Sequence, residues 1–222
     1  MPFQIPGFED FLVKAAVIAV MLLVAFPIHE FAHAFAAYQL GDGTARLMGR
    51  LTLDPRAHFD PTGGVLLAVS IMFTPFGFGW AKPTPYNPMN LRGGRWGEAI
   101  VSVAGPISNF ILAVVAAIPL RWILFAHMDL PEVAEFLGLF IYINLVLMIF
   151  NLLPIPPLDG SKVLYAFLDP RTAWRIRPVL EQWGLLILLA FILLPIFPGQ
   201  LTLADIVFGE LLTPLYRLLI GA

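Results

Sequence analysis

Apolar positions along this chain gather into six long blocks, at about 11–40, 63–80, 98–126, 132–153, 179–197 and 201–221. Most reach the roughly 20 residues that a helix needs to cross a bilayer, so the pattern predicts an all-α polytopic membrane protein of about five to six transmembrane helices. The first block carries Glu9 and Asp10 where a cleavable signal peptide would be cationic, and it reads as a retained helix. The second block is short and contains Thr74, Pro75, Gly77 and Gly79. Before it the chain alternates with period two: Arg46, Met48, Arg50 and Thr52 fall on one side, Leu47, Gly49, Leu51 and Leu53 on the other. That alternation predicts a half-exposed strand, and hence a small membrane-associated β/re-entrant region after the first helix.

Charge placement orients the blocks. The stretches 41–62 and 81–97 carry Arg46, Arg50, Arg56, Lys82, Arg92 and Arg95, and 154–178 carries Lys162, Arg171, Arg175 and Arg177. The turn at 127–135 has Asp129, Glu132 and Glu135 and no Lys or Arg. By the positive-inside rule the first three lie in the cytoplasm and the turn outside. If the two flanking basic stretches share a side, block 63–80 enters and returns, the N-terminus is outside and five spans leave the C-terminus inside; block 63–80 as a sixth full span is the rival, and it would put one basic cluster on the wrong face.

Composition narrows the class further. Hydrophobic residues make up 59% and charged residues 13%, with a formal net charge of −2 and a mean hydropathy of +0.84. An ordinary soluble domain is about a quarter charged, so disorder and a cytosolic globule are excluded, and no basic face is available for nucleic acid. There is no cysteine, so a metal would have to be held by His, Asp or Glu.

The first block closes on His29-Glu30-Phe31-Ala32-His33. On a helix the i, i+4 spacing puts both imidazoles on one face, where they can grip one ion, and Glu30 beside them can reach a water there. Ionisable groups within a span cost about 2.5–3.5 kcal/mol each on insertion scales, and are by default functional and partnered. Two histidines leave a zinc site incomplete, and Gln39 stands where a third would follow in one soluble metalloprotease class. The remaining candidates are Asp42, Asp54, His58, Asp60, Glu98, Asp159 and Asp169. Asp159 stands out, because it follows Asn151-Leu-Leu-Pro-Ile-Pro-Pro-Leu158 at the end of an apolar span. Three prolines break a helix there, and irregular backbone at membrane depth is tolerated only where it lines a cavity or is buried in protein.

His29 to His33, Ala104-Gly-Pro-Ile-Ser-Asn109 and Asn151 to Gly160 together resemble the three hallmark segments of the site-2 protease family of intramembrane zinc metalloproteases. The likeness implies one membrane-embedded metalloprotease domain over 1–222, with a catalytic core at about 11–170 and extra C-terminal helices at about 175–221. It implies one Zn2+ held by His29, His33 and Asp159, and Glu30 as catalytic acid/base. It further implies hydrolysis of peptide bonds in or near transmembrane segments of membrane-protein substrates. The compact loops point to a prokaryotic inner membrane, and the charge placement puts the active site toward the cytoplasm. Asn109 and Asn151 are candidates for holding substrate or a developing oxyanion, and Asn144 for an interhelical hydrogen bond. No PDZ or CBS regulatory domain is recognisable. A metal-ion transporter would use the same residues to pass an ion, and a pseudoprotease would only bind. The first reading is disfavoured because the candidate ligand acids lie toward the inner side, with no matching polar pair toward the outside and no repeated halves, the second by the presence of Glu30 and every expected ligand.

Overall fold

A computed structural model describes residues 15–16, 18–73, 79–195 and 202–221, with side chains undescribed at 71–73. The expectations that rest on Glu9, Asp10, Thr74, Pro75 and Gly77 lie outside these residues. Nine helices are considered below: α1 (Ile18–Gln39), α2 (Thr44–Leu47), α3 (Pro55–His58), α4 (Pro61–Phe73), α5 (Arg95–Phe125), α6 (Pro131–Leu152), α7 (Gly160–Phe167), α8 (Pro170–Leu193) and α9 (Leu203–Ile220). Four of them, α1, α5, α6 and α8, are long and apolar enough to cross a membrane. The fifth long helix, α9, has 18 residues and carries Asp205, Glu210 and Arg217.

The bundle is built on α5 and α6, which run antiparallel. Ala113, Ala116, Ala117 and Leu120 of α5 meet Ile141, Leu145 and Ile149 of α6, and Leu212 of α9 completes the cluster. Small residues let helices approach closely where lipid offers no hydrophobic drive to associate. In α1, residues Met21–Ala25 are wound as a π-helix, and fully buried Ala25 packs on Ile143 and Leu147. The exposed C-terminal carbonyls of α1 are met by Arg92, whose Nη2 donates to Gln39 O at 2.5 Å and Nε to Leu40 O at 3.3 Å. A cation there complements the helix dipole. The end of α1 thus lies beside the start of α5.

The predicted strand at 46–53 does not form. Residues 44–47 are the helix α2, and Gly49, at φ +69°, turns the chain back. Period-two alternation was the only strand signal, and no partner strand exists among the described residues to reward it. Instead Asp54 caps α3 by accepting from Arg56 N at 3.0 Å, and Arg50 donates to Ala57 O.

The re-entrant expectation has a clear geometry. Helix α4 has 13 residues, so it is about 20 Å long against a hydrocarbon core of about 30 Å. A Cβ on Gly63 would collide with Trp80, and one on Gly79 with Leu67, while Lys82 N donates to His58 O at 2.8 Å. Residues 79–82 therefore return along α4 to the point where the segment began. The extended stretch 81–87 follows, pinned by Asp42. That fully buried carboxylate accepts from Asn87 N (2.8 Å), Asn90 Nδ2 (2.9 Å) and Thr44 Oγ1 (2.7 Å).

The C-terminal course corrects the expected topology. Leu188 and Phe191 of α8 pack with Leu153, Leu158 and Ala204, so α9 starts where α8 stops, and Pro195 and Thr202 bridge the two. From there α9 runs antiparallel to α6. Tyr216 lies against Gly138, and Gly221 sits beside the Arg121 guanidinium. The C-terminal end of α9 is therefore at the end of the bundle that holds the 126–130 turn, not at the arginine-rich end. Counting apolar blocks as alternating full spans missed that α8 and α9 run in series.

Because the chain has no cysteine, single cysteines report sidedness directly. Gly221→Cys and Asp129→Cys should react with an impermeant maleimide from one face of sealed vesicles, and Arg171→Cys from the other. The Asp42 staple gives a pH dependence. Burial raises its carboxyl pKa, but the hydrogen bonds from Thr44, Asn90 and Asn87 outweigh burial and hold it below the ordinary carboxylate range. A lowered folded pKa contributes stability above the unfolded value and loses it as pH falls through the folded one. Asp42→Ala should cost about 1–3 kcal/mol at neutral pH, and thermal melts should show that gap closing in acid.

Candidate metal centre and active site

Three elements converge about 15 Å along α5 from its arginine-rich start. From α1 come His29 and His33, both buried, with ring centroids 4.6 Å apart and planes nearly perpendicular. From the break after α6 comes Asp159. Its Oδ2 lies 3.3 Å from His29 Nε2 and 3.2 Å from His33 Nε2, and the two Nε2 atoms are 3.0 Å apart.

Hydrogen-bond polarity determines what this triangle can hold. Val101 O can only accept, so His33 Nδ1 donates to it, at 2.7 Å. Phe140 O likewise accepts from Asn144 Nδ2 at 2.9 Å, which turns Asn144 Oδ1 toward Asn109. Asn109 Nδ2 donates to that oxygen at 3.0 Å, so Asn109 Oδ1 faces His29 Nδ1 and accepts from it at 2.6 Å. Each neutral ring therefore carries its proton on Nδ1 and presents a lone pair at Nε2. Two lone pairs and a carboxylate oxygen then face one another without a donor among them, a set that a cation satisfies. The edges of the triangle, 3.0–3.3 Å, match the roughly 3.3 Å between ligand atoms in a tetrahedral site with bonds of about 2.0–2.1 Å. Partners on the second ring nitrogen are the usual support of metal-bound histidine.

Local sequence explains the placement. Pro106 deprives the Ser102 carbonyl of its helical donor, and the carbonyl of Val101, one residue before, holds His33. A Cβ on Gly105 would clash with His33 Nε2 and lie 2.6 Å from His29 Nε2, so only glycine lets α5 pass this close. Asp159 is positioned by buried Leu153 and Leu158 on either side of the prolines, and by Gly160, where a side chain would strike the carbonyls of Leu152 and Leu153. Lys162 Nζ stands 3.8 Å from Asp159 Oδ1.

Glu30 adjoins this triangle. His29, Glu30 and His33 each bring a ligand atom within 4.8 Å of the others. Its Oε2 accepts from Thr84 N at 2.7 Å.

The other candidate residues are committed elsewhere. Asp42 and Asp54 serve the staple and cap described above; Asp60 accepts from Gly63 N at 2.9 Å, and Asp169 caps α8 through Arg171 N and Thr172 N. Glu98 pairs with Arg177 of α8 at 3.2 Å. His58 Nε2 donates to Thr52 O at 2.8 Å. Asn109 and Asn144 form the relay behind His29, so Asn109 faces a histidine instead of an open cleft, and Asn144 makes the expected interhelical bond. Asn151 Nδ2 donates to Leu147 O at 2.9 Å, one turn back in its own helix. The contacts of Thr84 and Lys162 and the closeness at Gly105 went unnoticed in the sequence; the glycine of Ala104-Gly-Pro-Ile-Ser-Asn109 was the one available sign.

Comparison with known proteins identifies the family. The profile of peptidase family M50 matches residues 123–195. YwhC of Bacillus subtilis (strain 168), provisionally named a zinc metalloprotease, is 37% identical over 184 residues, covering 81% of both chains. This chain belongs to peptidase family M50. Two mycobacterial proteins called Rip2, also provisionally named zinc metalloproteases, are 34% identical. The protein from Mycolicibacterium smegmatis aligns over 78% of this chain and 65% of its own length, and that from Mycobacterium tuberculosis (strain H37Rv) over 80% and 66%. No solved structure matches the chain. In this M50 peptidase the profile covers the Asp159 break, while the histidine pair lies outside the matched stretch.

Gly105→Ala tests the close approach. It should leave the helical fold intact by circular dichroism and reduce bound metal well below one ion per chain, because both imidazoles are pinned at Nδ1 and cannot retreat.

Proposed function

We propose that this protein is an intramembrane zinc metalloprotease in which His29, His33 and Asp159 hold one Zn2+ and Glu30 is the catalytic acid/base. It would hydrolyse peptide bonds in or near transmembrane segments of membrane-protein substrates, with the site-bearing end toward the cytoplasm of a prokaryotic inner membrane. The observation that carries this reading is the donor-free triangle of two imidazole lone pairs and a carboxylate oxygen beside a second carboxylate. Ten of the chain's 13 Lys and Arg lie in the stretches at the site-bearing end, which supports the orientation.

Bound zinc supplies a Lewis acid that makes water nucleophilic near neutral pH and polarises a peptide carbonyl. The protein's own residues do the rest. Glu30 takes the proton as the water oxygen bonds to the carbonyl carbon, then passes it to the departing amine nitrogen as the C–N bond breaks. A helical substrate must unwind locally before its carbonyl can be reached.

Glu30→Gln should retain one zinc per chain while its turnover of a transmembrane peptide in detergent falls by about 10²–10⁴-fold. Asp159→Asn should lose the metal by elemental analysis. Wild-type turnover by the first variant would sink the acid/base assignment, and a full zinc complement in the second would sink the ligand assignment.

A further inference from the structure

Thr84 lies in Lys82-Pro83-Thr84-Pro85, between two residues that have no backbone N–H and a fixed φ. Across 83–85 its amide is the single backbone donor, and that donor goes to Glu30 Oε2 at 2.7 Å. The Thr84 hydroxyl donates to the Glu30 main-chain oxygen at 2.9 Å, so one residue grips both ends of Glu30. The grip has fixed supports on either side, Lys82 N on His58 O and Asn87 N on Asp42 Oδ2, both at 2.8 Å.

We infer that Thr84 is the positioning residue of Glu30: its amide immobilises one carboxylate oxygen and leaves the other for the reacting water. This rests on Glu30 being the acid/base. A glutamate side chain has three rotatable bonds, and misplacing a catalytic group by about 1 Å can cost a hundredfold in rate. The flanking prolines make the donor unique and hold the backbone extended, so the carboxylate has one partner to choose. The hydroxyl ties the segment to α1, so the two move together.

Hydrogen exchange on a peptide covering 82–86 reads the contact without metal or activity. The Thr84 amide should be slow in the wild type and exchange at least about tenfold faster in Glu30→Ala, since charged-acceptor hydrogen bonds are worth about 1.5–3 kcal/mol. Equal exchange in the two overturns the inference. Kinetics then separate positioning from packing. Thr84→Pro, which removes the amide donor, should lower kcat about a hundredfold with KM and zinc content unchanged, and Thr84→Ser should restore wild-type kcat. In a Glu30→Gln background Thr84→Pro should cost nothing further. An unchanged kcat in Thr84→Pro, or an equal additional loss in that background, overturns it; should Thr84→Pro fail to fold, the exchange result decides. If Glu30→Gln itself turns over normally, the acid/base reading fails, whereas protection of the Thr84 amide by Glu30 would still stand as a contact.

Discussion

The structure turns on three acceptor atoms forced together inside an apolar bundle. Two imidazole lone pairs and a carboxylate oxygen within 3.0–3.3 Å of one another repel unless a cation lies between them. Nothing in a hydrocarbon environment relieves that repulsion as bulk water would. The fold therefore has to supply directional support from behind each ligand. Val101 does this for His33, the Asn109–Asn144–Phe140 relay for His29, and the prolines and buried leucines for Asp159.

That support explains why α5 and α6 form the heart of the molecule. Asn109 and Asn144 are fully buried, and each would be costly without the other. Paired, they lock the register of the two helices, and the same register brings Gly105 against the imidazoles and sets the end of α6 at the depth of Asp159. Helix packing and metal geometry are thus one constraint, since a shift of one turn in α5 against α6 would break the relay and fill the site.

The short elements between α1 and α5 serve the other side of the site. Residues 79–82 run back along α4, and Asp42 fixes the stretch that brings Thr84 to Glu30. On the far flank Arg177 joins α8 to buried Glu98 and lies over the Tyr165 ring, holding α8 along the break that carries Asp159. Gly184 permits the contact, because a side chain there would meet Pro156.

From the chain alone, the membrane class followed from apolar blocks and sparse charge, and the His29–Glu30–His33 cluster from helical spacing. Both are local properties of one segment, so periodicity and composition report them. The choice of Asp159 also had a local basis, three prolines ending an apolar span. The strand at 46–53 failed because alternation states only which faces differ, and a strand needs a partner that the fold does not provide. That α9 ends beside the 126–130 turn and not at the arginine-rich end was also illegible, because block lengths do not reveal that α8 and α9 run in series. The roles of Gly105, Asn109, Asn144 and Thr84 depend on contacts between residues 35 to 80 positions apart. Only tertiary packing could decide them, since hydrogen-bond direction is set by whichever backbone carbonyl lies opposite, and no single segment contains that information.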